Sequence, residues 1–443
     1  MVNIVYIHSH DTGRYVQPYG YSIPTPAIQR LAEQGALFRK AFCANPTCSP
    51  SRASLLTGQW AHSCGMGGLV NRGWSLPNPD RLLPSFLRQH GYSTVRAGIQ
   101  HVVKDPAEGG YSRILGGENG DRNTVARATS FLNERHDKPF FLDVGFFATH
   151  RHGDGFLDHP ANTEPTDPNY VRPPATLPDN PTTREDMAAY INAARSLDDM
   201  IGAVIQSLDE QTFADETLVI CTTDHGIAFP RMKCNLTDHG IGVMLILRGP
   251  GGFTGGSVVD SLVSHIDLFP TICDLIELPF PDWLQGVSLV PLVEGIGSVR
   301  SEIFSEINYH VCYEPQRAVR TDRWKYILRL HERARPVLPD CDNGLSKSFF
   351  LENDWNLLED SKERLYDLVF DPNETKNIVD QEEVAEVLEK MRALMNEWRE
   401  ETKDPLITEN VFYPPATAQV VDPNARSGRD AKVMSARSFL GLE

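Results

Sequence analysis

The chain has 443 residues, 41% apolar and 23% charged, enough to bury a large core in one main domain with a smaller appendage. Its 59 acidic against 42 basic residues leave a formal net charge of −17, which argues against nucleic acid or an anionic membrane as the main partner and requires local cations if the substrate is an anion. No apolar run is long enough to cross a bilayer, the eight cysteines are scattered without a Cys-x-x-Cys pair, and the apolar residues before His8 are too few for a signal-peptide core, so a cytoplasmic location is expected.

Taken in chain order, Ile4 to Ile7 is a continuous apolar run that stops at polar His8-Ser9-His10-Asp11, the pattern of a buried parallel strand ending in a loop. Ligands collect at such carboxyl ends in open α/β sheets. Thr25 to Gly35 has helical spacing, with Thr25 as N-cap and Pro26 in the first turn. Next comes Cys48-Ser49-Pro50-Ser51-Arg52-Ala53-Ser54-Leu55-Leu56-Thr57-Gly58, which places a cysteine at a helix start in a motif that packing alone would not select. A lone buried cysteine would otherwise be read as inert.

Leu82 to His90 reads as a helix, and Tyr92 to Ala97 and Phe140 to Phe147 as apolar strands. A helix around Met187 to Leu208 comes next, then the strand Thr217 to Thr222, which ends at Thr223-Asp224-His225-Gly226, and another buried strand at Val243 to Leu247. The alternation predicts a doubly wound α/β domain over residues 1–300. A smaller α+β subdomain is expected over 301–402: Arg317 to Leu330 and Arg364 to Phe370 look like strands without crossover helices, and Glu382 to Arg399 is an amphipathic helix. Its face of Val384, Val387, Leu388, Met391, Leu394, Met395 and Trp398 reads as docking surface. Residues 403–443, with several prolines and weak periodicity, read as an extended arm through which a homo-oligomer could form.

The run from Cys48 to Gly58, Cys-x-Pro-x-Arg closing on Thr-Gly, resembles the signature of the type I sulfatases, which share the alkaline phosphatase-like fold. In that family a separate maturation enzyme oxidises the cysteine to formylglycine. The hydrated aldehyde then supplies a geminal diol that attacks sulfur, and its second hydroxyl lets the sulfate ester collapse by C–O cleavage. The resemblance implies one divalent metal, with Cys48 in its modified form among the ligands. Sulfatases carry two adjacent aspartates at the first strand end, and His10 and Asp11 stand there. Asp224-His225-Gly226 matches the family's Asp-Asn-Gly, so Asp224 and His225 complete the implied ligand set. Two imidazoles soften a shell that otherwise suits Ca²⁺ or Mg²⁺, the ions expected first, and leave room for Mn²⁺ or Zn²⁺.

The resemblance assigns further roles. Arg52, one turn after Cys48, would brace the formylglycine and pair with an anion. His101 in Gly98-Ile99-Gln100-His101 matches the histidine that acts as base in intermediate collapse, although Ile99 replaces the family lysine. His150 matches the histidine that protonates the leaving group, and Lys233 its partner cation. Arg151 is expected to touch substrate. Within the family the likeness is to the heparan N-sulfatase group, through the Cys48 run, the His150-Arg151 pair, Gly226-Ile227-Ala228-Phe229-Pro230, and Leu365-Tyr366-Asp367-Leu368 with Asp371-Pro372-Asn373-Glu374.

The expected activity is hydrolysis of a sulfate ester or sulfamate on a small sulfated sugar or aryl compound. A phosphonate monoester or phosphodiester hydrolase is the alternative, because some of these carry histidine where His225 stands. A non-catalytic binder of sulfated glycans would have lost Cys48, Asp11, Asp224 or His150, and none is lost.

Overall fold

The computed structural model describes residues 2–117, 120–156 and 164–442. Its core is an eight-stranded sheet built from β1 (Asn3–Ser9), β2 (Ala36–Phe42), β3 (Ser93–Gly98), β4 (Arg113–Ile114), β5 (Phe140–Gly145), β8 (Thr217–Thr223), β9 (Leu245–Arg248) and β10 (Ser257–Ser264). A short ribbon, β6 (Arg151–His152) with β7 (Gly155–Phe156), lies outside it. The order is β10-β2-β9-β8-β1-β5-β3-β4. The central strands β8, β1, β5 and β3 are parallel, so their carboxyl ends meet at one edge of the sheet.

The doubly wound sheet is mixed. β9 runs antiparallel to both β8 and β2. Between β8 and β9 the chain forms only loops and the four-residue helix Asp238–Ile241, so it returns without the long crossover that a parallel pairing needs. The charged centre of β2, Arg39-Lys40, hid that strand from an apolar-run reading, because it pairs near the sheet margin where those side chains reach solvent.

Helices cover the sheet where the sequence places them. Pro26–Gln34 turns Ile28, Leu31 and Ala32 inward, the i, i+3, i+4 stripe of an amphipathic helix. Pro181–Asp209 starts earlier than its apolar pattern suggests, because Asn180 and Thr183 form a capping box ahead of a proline in the first turn. The helix Cys48–Thr57 is buried at all ten positions and stops at Gly58, whose left-handed φ of 65° suits glycine.

The second sheet comprises β11 (Glu302–Tyr309), β12 (Tyr313–Thr321), β13 (Trp324–Arg329) and β14 (Glu363–Asp367), all antiparallel. The single run expected over 317–330 is therefore a hairpin, broken where the Thr321 hydroxyl accepts from Trp324 N at 3.0 Å. The helix Ala385–Glu401 docks Leu388, Met391, Met395 and Trp398 onto this sheet, with the Trp398 ring 4.9 Å from that of Phe304.

The carboxyl-terminal segment is a folded part of the body. It carries β15 (Gln419–Val421) and β16 (Val433–Ser435), and Phe412, Ala418, Val420 and Ala436 are buried in the main core. Apolar residues spaced too irregularly to signal an element thus find partners on the loop 67–74, where Phe412 and Trp74 rings lie 6.0 Å apart.

Candidate active site

Four strand ends deliver the site. β1 and β8 pair Ser9 with Thr223, so Asp11 and Asp224 emerge side by side just beyond the sheet. β5 leads to His150, and β3 to His101. Asp11 and His101 take left-handed φ values of 51° and 55°, uncommon for non-glycine residues and held here by the buried loops around them.

The two carboxylates are locked together. Asp224 Oδ1 accepts from the Asp11 N–H and from the His225 N–H, each at 2.9 Å. Its Oδ2 accepts from Arg52 Nη2 at 3.0 Å and lies 3.1 Å from His10 Nδ1. Burial opposes this charge, yet His225, Arg52 and His10 hold the carboxyl well below its ordinary range. Asp11 Oδ2 accepts from Lys233 Nζ at 2.9 Å. The same ammonium lies 3.0 Å from Asp342 and 3.5 Å from His150 Nε2. Desolvation works against that charge too, but Asp11 and Asp342 together push the Lys233 pKa up.

Burial disfavours the charged form of His10, His101 and His225. Burial, with Arg52 as a second cause, drives His10 well below its ordinary value and takes His101 to about 3. His225 is lowered by burial as well. Its Nδ1 donates to the Gly226 carbonyl at 3.0 Å, which fixes the tautomer and leaves the Nε2 lone pair facing Cys48 Sγ at 3.3 Å and Asp11 Oδ1 at 3.4 Å. Among the described residues neither ring nitrogen of His10 has a hydrogen bond of good geometry, nor does Asp11 Oδ1, although all three are buried. Ligand atoms of Asp11, Cys48, Asp224 and His225 lie within 4.8 Å of one another, as do those of His10, Asp11, Cys48 and His150. Converging carboxylate, imidazole and sulfur atoms, with Asp11 Oδ1 and His10 left unsatisfied, are a donor set that a divalent cation satisfies, so these residues fit a metal.

Cys48 opens its helix with Thr47 as N-cap, and burial first, then Asp224 and Asp11, push the thiol well above its ordinary pKa. Lys233 and Arg52 oppose that rise without cancelling it, so the thiol is favoured over the thiolate.

The sulfatase family model matches residues 2–278, more than half of the chain. The chain belongs to the sulfatase family. A second model, the carboxyl-terminal domain of N-sulphoglucosamine sulphohydrolase, matches residues 231–342 of this sulfatase. The human N-sulphoglucosamine sulphohydrolase is 30% identical, over 91% of this chain and 91% of that protein. Among solved structures, a protein in complex with its substrate D-glucosamine-2-N,6-O-disulfate aligns over 92% of this chain and 100% of its own, with TM-score 0.70 and 19% identity. A phosphonate monoester hydrolase of Agrobacterium radiobacter aligns over 91% and 96%, with TM-score 0.67 and 18% identity. The alkaline phosphatase-like fold is thereby established for this sulfatase.

The structure brings His10, Asp11, Cys48, Arg52, His101, His150, Asp224, His225 and Lys233 to one edge of the sheet, and places Arg151 elsewhere. Arg151 does not face the site. Its guanidinium pairs with both oxygens of Asp186 at 2.9 and 2.8 Å and its Nε donates to the Ala228 carbonyl, beneath the Phe156 and Phe229 rings. Arg52 lies beneath position 48 and reaches Asp224 at 3.0 Å, the Ser9 carbonyl at 2.8 Å and His8.

Four residues escaped the sequence reading. Asp342 reaches Lys233 from the second domain, and no local motif announces it. His8 donates to Asp143 at 2.7 Å, and Tyr111 donates to the same carboxylate, a buried chain behind Arg52. An acid inside the apolar run Phe140 to Phe147 was the one available signal for Asp143.

Proposed function

We propose that this sulfatase hydrolyses a sulfate ester or sulfamate on a saccharide, with formylglycine formed from Cys48 as nucleophile. The observation that carries the reading is a buried Cys48 held 3.3 Å from His225 Nε2, within reach of the ligand atoms of Asp11 and Asp224. Formylglycine would supply a diol nucleophile, and His10, Asp11, Asp224 and His225 would hold a divalent metal whose chemistry would be Lewis-acid stabilisation of that hydroxyl and of the transferred group. Calcium or magnesium is the ion we favour, with manganese or zinc admitted by the two imidazoles.

The chain's own groups do the rest. Lys233 and the site's deep burial hold an anionic group where water is scarce. His150 donates Nδ1–H to the Arg151 carbonyl at 2.6 Å, leaving Nε2 in the half-open mouth, where a proton taken up there passes to the leaving oxygen or nitrogen. His101, whose charged form burial disfavours and whose Nδ1 has no partner among the described residues, accepts a proton from the nucleophile's second hydroxyl. A host enzyme that generates formylglycine is the required partner.

His225 favours a second reading, phosphonate monoester hydrolysis, in which the same groups act at phosphorus. Rates on a sulfate ester and its matched phosphonate ester decide between them, with the mass of the peptide spanning Cys48 reporting the aldehyde. A faster phosphonate ester overturns the first reading, and full activity after exhaustive chelation overturns the metal site in both.

A further inference from the structure

Behind the site a chain of buried side chains runs from the guanidinium of Arg52 into the centre of the sheet. Arg52 Nη1 donates to His8 Nδ1, His8 Nε2 lies 2.7 Å from Asp143 Oδ1, and the Tyr111 hydroxyl donates to Asp143 Oδ2. Arg52 and His8 are each 2% exposed, and Asp143 is fully buried. Burying a charged group in a central strand costs solvation that its partner only partly returns, so a role other than packing is the one to look for.

The tautomer of His8 follows from its neighbours. A guanidinium donates from its nitrogens and accepts at none, so the imidazole nitrogen that faces Arg52 presents a lone pair. The ring proton therefore sits on Nε2, where Asp143 accepts it. Strand pairing makes room for the ring: His8 on β1 stands opposite Gly145 on β5, and a Cβ at Gly145 would lie 2.6 Å from His8 Cε1. The Tyr6 ring stacks on the imidazole, with centroids 4.7 Å apart.

On the other amino group of Arg52, Nη2 donates to the Ser9 carbonyl at 2.8 Å and to Asp224 Oδ2 at 3.0 Å, whereas Nε has no hydrogen-bond partner among the described residues. Contacts at Nη2 alone would let the planar group swing about that nitrogen. The bond from Nη1 to His8 stops it.

We propose that His8 is a positioning residue: with its Nε2–H anchored on Asp143, its Nδ1 lone pair aims Arg52 at Asp224, a carboxylate of the candidate metal site. Its effect on turnover rests on the function proposed above; its effect on Arg52 does not.

Two amide variants separate this role from packing. The amide nitrogen of a glutamine reaches the place of histidine Nε2, and the amide oxygen of an asparagine the place of Nδ1. His8→Gln thus keeps the donor to Asp143 and removes the acceptor for Arg52, and His8→Asn does the reverse. Calcium and manganese are titrated separately by calorimetry into each metal-stripped protein, and kcat on an aryl sulfate is measured after maturation. His8→Gln is expected to weaken metal binding and lower kcat by about tenfold or more, and His8→Asn to recover most of both while melting lower. The opposite order, or an equal effect of the two, overturns the positioning role.

Crystal structures of both variants need neither metal nor turnover. Arg52 displaced from Asp224 in His8→Gln and in place in His8→Asn supports the proposal even if the parent hydrolyses no sulfate ester, which would sink only the proposed function. Arg52 unmoved in His8→Gln overturns the proposal whatever the rates. Should His8→Gln not fold, His8→Phe/Asp143→Leu replaces the buried pair by apolar side chains and is expected to displace Arg52 in the same way. An unmoved Arg52 in that double variant overturns the proposal equally.

Discussion

Cys48 Sγ lies 3.3 Å from Nε2 of His225, a residue 177 positions later in the chain whose other ring nitrogen is committed to the Gly226 carbonyl. The pairing fixes which face of the imidazole meets position 48. It also places Cys48 Sγ beside Asp11 and Asp224, at the carboxyl end of β1 and β8.

Cys48→Ala is therefore expected to abolish turnover, by about 10³-fold or more as for other removed nucleophiles, with little change in melting temperature. The side chain loses one sulfur atom and no strong hydrogen bond. Rates of purified parent and variant check it. A variant retaining more than about one percent of parental rate would mean that position 48 is not the nucleophile.

His150→Ala should slow sugar sulfates and sulfamates far more than activated aryl sulfates, because only poor leaving groups need a proton as the bond to sulfur breaks. A plot of log rate against leaving-group pKa is expected to steepen in the variant. Parallel lines for parent and variant would remove the general-acid role.

Arg151→Met should act through stability. It strips the cation from Asp186, which is 2% exposed and accepts both guanidinium bonds, and breaking a buried pair costs about 3–5 kcal/mol. Adding Asp186→Leu should recover much of that loss, because the orphaned charge is gone. Urea midpoints of the parent and of the single and double variants report it. A stable Arg151→Met protein with a raised KM would restore the substrate contact read from sequence.

Stability should fall on acidification below neutrality, in part through His265. Burial lowers its pKa to about 3, while Nε2 is engaged by Thr222 Oγ1 at 3.0 Å and Nδ1 has no partner. Between about pH 6.5, where an unfolded histidine ionises, and about pH 3, the unfolded chain binds one proton more than the folded one. The stabilisation is thus complete above about pH 6.5 and shrinks as pH falls, by about 1.4 kcal/mol per unit for a single site. Urea midpoints across the range from neutral to mildly acid pH should show a shallower slope in His265→Gln than in the parent. Identical slopes would exclude His265 as a contributor.

The chemistry of the site, and the elements that carry it, were legible in the linear chain. Polar groups stop apolar runs at His8-Ser9-His10-Asp11 and at Asp224-His225, and the motif at Cys48 is local. A continuous apolar run needs to be buried on both faces, so it dictates a central parallel strand and places the residues after it at the carboxyl end of the sheet. Other features depended on the folded chain. β9 is antiparallel because the path from β8 lacks a crossover helix, a property of a connection and not of the strand's residues. Arg151 was legible as a cation, but whether it met substrate or Asp186 depended on the placement of a helix 35 residues away. The carboxyl-terminal segment carries no period because its apolar residues contact a loop, and loops impose none. Asp342 came to Lys233 through a contact between segments more than a hundred residues apart. Hydrophobic periodicity records which face of an element is buried, and holds no information about which distant segment buries it.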